Sequence, residues 1–131
     1  IPFFGWLLHM ARPIVIDRSR KQSALKEILR QGQERLQLGV SVIIFPEGTR
    51  VPVGEDRAHF PGGAMLACKA GVPVLPVVHN AGQFWPAHKL GKKPGQITVR
   101  IGAPIATTGR SPKELNQQLE SWINQQKNQL N

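Results

Sequence analysis

The run at residues 40–45 (VSVIIF) constrains this chain more than any other stretch: β-branched, almost wholly apolar, and cut off by Pro46. β-Branched side chains are stiff at χ1 and pack well on a pleated surface, so the run predicts a strand. With nearly every position apolar, both of its faces need cover, which predicts a central strand of a sheet. The flanking segments carry the complementary signals. Leu25, Ile28, Leu29 and Leu36 recur at helical spacing, with Lys26, Glu27, Arg30, Glu34 and Arg35 on the other faces and Gly39 as a stop. Gly32 weakens that helix by about 1 kcal/mol relative to alanine without ending the pattern. Residues 63–70 predict a short helix of small residues closed by Gly71. Ser111-Pro112-Lys113-Glu114 is a capping box with proline at the first helical position, followed by the apolar stripe Leu115, Leu119, Trp122 and Ile123.

Further strand signals lie at residues 13–16 (PIVI), closed by Asp17-Arg18, and at residues 96–101 (QITVRI). Residues 72–78 (VPVLPVV) are apolar too, but Pro73 and Pro76 demote them to an edge or irregular strand. Residues 46–63 and 80–95 read as loops. Strands alternating with helices predict an α/β domain, with a mixed, largely parallel sheet flanked by helices.

A length of 131 residues fits one domain, and 40% hydrophobic with 19% charged residues is too apolar for a disordered segment. The single cysteine, Cys68, excludes an intrachain disulfide framework and a cysteine-rich zinc site, and suits a small core position. No apolar run reaches the ~18 residues that span a bilayer. The nearest candidate, residues 1–16, is interrupted by Pro2, His9, Arg12 and Pro13 and lacks the basic start of a secretory signal. The sequence opens on Ile1-Pro2 without an initiator methionine, and a piece of a longer protein is expected.

Seventeen Lys and Arg against eight Asp and Glu give a net charge of +9, which favours a polyanionic or anionic-lipid partner. For nucleic acid the supporting features are missing: the basic residues are dispersed, there is no tyrosine, and no recognition motif occurs. The phosphate loop GxxxxGK[ST], HExxH, GxSxG and GxGxxG are absent as well. Two readings of Phe3-Phe4-Gly5-Trp6 stand side by side, a headgroup-level contact with a membrane surface or cover for the sheet.

The chemistry concentrates in Phe45-Pro46-Glu47-Gly48-Thr49-Arg50, where the strongest strand feeds a loop. The carboxyl ends of strands are where α/β folds collect binding groups. Gly48 permits close backbone approach, Thr49 offers a hydroxyl, and Arg50 can grip a phosphate with two parallel hydrogen bonds. Glu47 would repel that phosphate, so it orients an arginine or meets a substrate hydroxyl. An ordinary turn with a surface ion pair explains the same residues equally well on physical grounds alone.

FPEGTR resembles the third sequence block of the glycerolipid acyltransferases, in particular the 1-acyl-sn-glycerol-3-phosphate acyltransferase group. Ile14-Val15-Ile16-Asp17-Arg18 is similar to the second block, and Val72-Pro73-Val74-Leu75-Pro76-Val77 to the fourth, in the family's order. The lead-in at residues 1–6 and the segment at residues 99–105 resemble the family too, so the likeness spans residues 1 to about 105. It implies a glycerolipid acyltransferase-like fold and transfer of a fatty acyl group from acyl-CoA or acyl-carrier protein to the sn-2 hydroxyl of lysophosphatidate, giving phosphatidate. Carried over residue by residue, Arg18 and Arg50 would hold the phosphate, Gly48 and Thr49 would shape the loop, and Glu47 would hold the glycerol end or an arginine. Val74 and Pro76 would lie on the acyl-chain side. The resemblance implies no metal and no cofactor beyond the thioester co-substrate, and a membrane-associated protein at the cytoplasmic face.

One departure concerns the family's first block, a histidine with an aspartate five positions on, which supplies the general base and its orienting carboxylate. Five positions beyond His9, His59, His79 and His88 stand Ile14, Ala64, Phe84 and Lys93. The family carries that block upstream of the segment matching Ile1, so residues 1–131 are expected to be the carboxyl-terminal part of one acyltransferase domain. His79-Asn80 suits a hydrogen-bonded structural role, His9 packing, and Arg57 and Lys69 solvated surface, while His59 and His88 carry no motif. A non-catalytic basic module binding anionic lipid or nucleic acid is the competing reading; a His-x4-Asp shortly before Ile1 would favour the enzyme. Purified residues 1–131 are expected to transfer no acyl group, and turnover in a radiolabelled acyl-transfer assay would show that another group serves as base.

Overall fold

The computed structural model describes residues 13–14, 21–86 and 90–130. The first helix, α1, runs Lys21–Gln37. Its C-terminus closes in a Schellman motif: the Gly39 amide donates to Leu36 O at 3.0 Å and the Val40 amide to Arg35 O at 3.0 Å, with Gly39 at φ 74°. On its exposed side Arg30 bonds Glu27 at 2.8 Å and Glu34 at 2.9 Å. The Arg30 hydrogen bond, aided by Gln31, holds the Glu27 carboxyl below its ordinary value. Gly32 sits inside the helix as the spacing predicts.

The chain divides into two units, residues 1–42 and 43–131, and α1 belongs to the first. The second unit is built on α2 (Gly62–Ala70) and α4 (Pro112–Leu130). Small residues on α2 let α4 approach: Ala64, Ala67 and the fully buried Leu115 form the core. Cys68, Val72, Val74, Ile105 and Leu119 pack around it. Gly71, at φ 67°, ends α2 in a second Schellman arrangement, with Val72 N bonding Ala67 O at 3.2 Å. The capping box forms as expected: Glu114 N donates to Ser111 Oγ at 3.3 Å and Ser111 N to Glu114 Oε2 at 3.0 Å.

β1 (Val77–His79) pairs antiparallel with β2 (Val99–Ile101), Val78 opposite Arg100. Inward-facing Val78 is buried against α4, and Arg100 donates to Gln126 Oε1 at 2.6 Å and Gln129 Oε1 at 2.7 Å on that helix. The ladder is interrupted where proline falls. Val74 and Ile105 exchange both backbone bonds, at 2.9 and 2.8 Å, whereas Pro76 accepts from Gly102 N and has no amide to return. Gly102 is glycine for want of room, since a Cβ there would lie 2.6 Å from the Trp122 ring and 2.9 Å from Pro76. Between the strands, residues expected as loop include a one-turn helix, α3 (Ala81–Phe84).

One expectation needs correction. Residues 40–45 carry no ladder hydrogen bonds among the described residues, and Ile43 and Phe45 are 82% and 74% exposed. An apolar run becomes a strand only when a neighbour supplies a ladder, and no described segment lies alongside to do so. The sheet formed by the described residues is antiparallel, and no parallel pair occurs among them. Of residues 13–16, expected as a strand, 13 and 14 carry no strand pairing and the others lie outside the described residues, as do Arg18, His9, His88 and the aromatic lead-in.

Bonds from the Ser111 amide and hydroxyl hold the Glu114 carboxyl below its ordinary value. A carboxylate depressed by folding stabilises the fold above its unfolded pKa and loses that effect as pH falls through the folded one. Glu114→Ala is expected to lower the thermal midpoint near neutrality, with the gap from wild type closing in acid; Ser111→Ala should cost about 1 kcal/mol. Melting curves across pH check both.

Candidate functional site

The FPEGTR loop is shaped first by its own backbone. Gly48 N donates to Phe45 O at 3.0 Å, making a tight turn through Glu47, with Gly48 at φ 68°. That value lies in the left-handed region that favours glycine. At the far end Phe60 N donates to Pro46 O at 2.9 Å, so residues 46–60 leave and return to one point. A second turn within the loop is closed by Glu55 N bonding Pro52 O at 3.2 Å. His59, beside the closing bond, is buried, a placement that its sequence context did not signal.

Side chains from elsewhere then fix the loop. Lys127, near the end of α4, donates from Nζ to Glu55 O at 2.9 Å. The same ammonium stands 3.6 Å from the Asp56 carboxylate and 3.8 Å from that of Glu47. Glu47 and Lys127 side chains are 29% and 19% exposed, so solvent screens this pair less than it would a surface pair. On the loop's other flank, Val53 packs over Gly82 of α3.

The structure thus gathers Glu47, Gly48, Thr49 and Arg50 on one closed loop. Thr49 and Arg50 are exposed, and no carboxylate among the described residues pairs with Arg50. Glu47, expected to orient an arginine or meet a substrate hydroxyl, has the Lys127 ammonium 3.8 Å away and no arginine partner among the described residues. Arg18, the proposed second phosphate ligand, lies outside the described residues. Lys127 was missed by sequence reasoning, although a signal existed: it follows Leu115, Leu119 and Ile123 in steps of four, a cation at the edge of an apolar stripe.

Val74 and Pro76 occupy different surroundings from the loop. Val74 is bridged to Ile105 and packs against the core. Buried Pro76 lines a cleft of about 320 Å³ with Ala103, Ile105, Arg110 and Trp122, to which no residue of the FPEGTR loop contributes. His79 Nδ1 accepts from Ala81 N at 3.2 Å and Asn80 Oδ1 from Thr98 N at 2.8 Å, the structural role expected of that pair. Cys68 packs beside the core with Sγ 3.7 Å from Arg110 O. Among the described residues no three metal-binding side chains cluster, and no helix is long and apolar enough to cross a membrane.

The acyltransferase family model matches residues 1–80. The 1-acyl-sn-glycerol-3-phosphate acyltransferase of Pseudomonas aeruginosa is 49% identical over 128 residues, 95% of this chain and 50% of its own length. The human 1-acyl-sn-glycerol-3-phosphate acyltransferase alpha is 34% identical over 112 residues, 85% of this chain and 40% of its own. The crystal structure of the 1-acyl-sn-glycerophosphate acyltransferase from Thermotoga maritima matches with a TM-score of 0.72 at 35% identity, covering 78% of this chain and 43% of that one. The α/β fold is accordingly that of a glycerolipid acyltransferase, and the chain spans about half the length of the curated relatives it matches.

A Cβ at position 48 would meet nothing within 4 Å, so the requirement for glycine is a matter of backbone alone. Gly48→Ala is expected to cost about 1–2 kcal/mol and Gly48→Asn less, because asparagine tolerates the left-handed region. Thermal unfolding of the two variants checks this, and equal stability would mean that the turn relaxes to negative φ.

Proposed function

The chain belongs to the acyltransferase family, and we propose that the protein containing it moves a fatty acyl group from acyl-CoA or acyl-carrier protein to the sn-2 hydroxyl of 1-acyl-sn-glycerol-3-phosphate. The observation that carries this reading is the closed FPEGTR loop, which presents Arg50 to solvent without a carboxylate partner among the described residues. A guanidinium so placed can take two phosphate oxygens in parallel. Arg18, which matches the family's second block, is assigned to the same phosphate. Gly48 and Thr49 shape the turn, and Glu47 fixes the acceptor's glycerol end against the loop. Val74 and Pro76 are assigned to the acyl-chain side on their match to the family's fourth block.

In this reaction the sn-2 oxygen attacks the thioester carbonyl carbon. The carbon–oxygen bond forms, the carbon–sulfur bond breaks, and the departing thiol receives a proton to replace the one lost by the hydroxyl. An alcohol needs a base for that step at neutral pH. The His-x4-Asp block of the family would supply it, and none of this chain's four histidines has an aspartate at that spacing. The residues present here do the positioning: a fixed phosphate confines the hydroxyl to the neighbourhood of the thioester, replacing a diffusional encounter with a local one.

A single-tailed lipid acceptor, the +9 charge and the aromatic lead-in support action at an anionic membrane surface, on the cytoplasmic side where both thioester donors occur. In the full-length protein, Arg50→Ala and Arg18→Ala are each expected to reduce kcat/KM for lysophosphatidate on the order of 10- to 100-fold, the loss of one charge-assisted contact. Glu47→Ala should also lose most activity. Steady-state kinetics with lysophosphatidate varied at fixed acyl-CoA test this, and wild-type values in all three variants would reject the assignment.

A further inference from the structure

We infer that Lys127 is a positioning residue for the acyl acceptor: its ammonium ties the FPEGTR loop to the C-terminal helix and offsets the charge of Glu47 beside the phosphate-binding arginine. This rests on the phosphate reading of the loop given above. The loop carries three carboxylates, Glu47, Glu55 and Asp56, against Arg50 and Arg57, an acidic balance for a segment that must receive a dianion. Glu47 lies in the tight turn at residues 45–48, and Arg50 follows two residues after Gly48 on the same closed loop. An uncompensated carboxylate there adds negative charge to the segment that carries Arg50. Lys127 supplies the missing positive charge, 3.8 Å from Glu47 and 3.6 Å from Asp56.

The same contact is mechanical. Bonded to Glu55 O at 2.9 Å, Lys127 grips the middle of the loop while facing Glu47 at its start. The hydrogen bond from Phe60 to Pro46 closes the loop's base, and the bonds at Gly48 and Glu55 each close a turn within one arm. A cation reaching both arms holds them together. Its stem lies largely buried at the edge of the α4 stripe, so the ammonium reaches the loop from a rigid element. A lone surface lysine making one ion pair would have neither property.

Lys127→Met retains the stem and the helix propensity while removing the charge, and Lys127→Arg restores charge and donors. In the full-length protein, Lys127→Met is expected to raise KM for lysophosphatidate about tenfold while KM for acyl-CoA stays at the wild-type value, with Lys127→Arg recovering most of the difference. Hydrogen exchange at the Gly48 and Phe60 amides should quicken in the methionine variant and not in the arginine variant. Normal lysophosphatidate KM in Lys127→Met beside a raised KM in Arg50→Ala would overturn the Lys127 assignment alone. So would equal rises for both substrates, the mark of a merely structural role. An unchanged KM in Arg50→Ala would overturn the phosphate reading itself, and with it the substrate part of this proposal.

Discussion

Leu115 has no exposed surface, and its seat against Ala64 and Ala67 determines where the C-terminal helix lies. Everything that helix touches follows from that placement. Small residues on α2 make the approach possible, because a larger side chain at either alanine would hold the helices apart. Twelve residues farther on, about 18 Å along the axis, comes Lys127. Steps of four residues drift about 40° each around a helix, so the stripe through Leu119 and Ile123 delivers Lys127 roughly 120° from Leu115. It therefore falls at the margin of the packed face, where a long stem is covered and a charged head still finds polar partners. The geometry of the loop is thus set partly by a hydrophobic contact in a different element.

If the loop receives a phosphate as proposed, it illustrates how charge of the wrong sign can be tolerated nearby. Glu47 stands beside Arg50 in sequence, and an uncompensated carboxylate there would oppose a phosphate. In the fold its charge is shared with Lys127 and leaves Arg50 without a carboxylate among the described residues. Had Glu47 paired with Arg50 instead, the guanidinium would have been occupied by the protein's own acid. On the proposed reading the arrangement separates two roles: a lysine as a compact point charge for the tether, an arginine left as a planar fork for the ligand.

What could be read from the sequence was what depends on neighbours in the chain. Ser111 to Glu114, Gly39 and Gly71 mark helix ends because capping bonds span three to five residues, and all three appear where the residues predict. The prolines at 73 and 76 foretold an interrupted strand, and pairing is confined to Val74 and to Val77–His79. Residues 40–45 find no strand partner among the described residues, and propensity says nothing of where a partner lies. The same division holds at the site. Glu47 to Arg50 were legible as a group because they are contiguous, whereas the tether joins Glu55 to Lys127 across 72 positions. Val74 and Pro76, two residues apart in one sequence block, have different neighbours that the block itself does not disclose: Val74 bridges Ile105 and packs against the core, and Pro76 lines a cleft.

This separation bears on how the reaction is apportioned along the chain. Binding an acceptor and activating its hydroxyl are different tasks: the first needs fixed charge and shape, the second a group that exchanges a proton at the right moment. The residues from Glu47 to Arg50, with Lys127 behind them, supply fixed charge and shape and contain no group suited to take a proton from an alcohol. The nearest imidazole in the loop, His59, is buried beside the loop's closing bond rather than displayed with Arg50. On the proposed reading, a histidine in the family's His-x4-Asp arrangement would meet a hydroxyl whose position this loop sets. On that view the stiffness of the loop matters more than its reactivity, since a displacement of about 1 Å in a reacting group can cost two orders of magnitude in rate. A tether to a packed helix is the kind of support that such a demand requires.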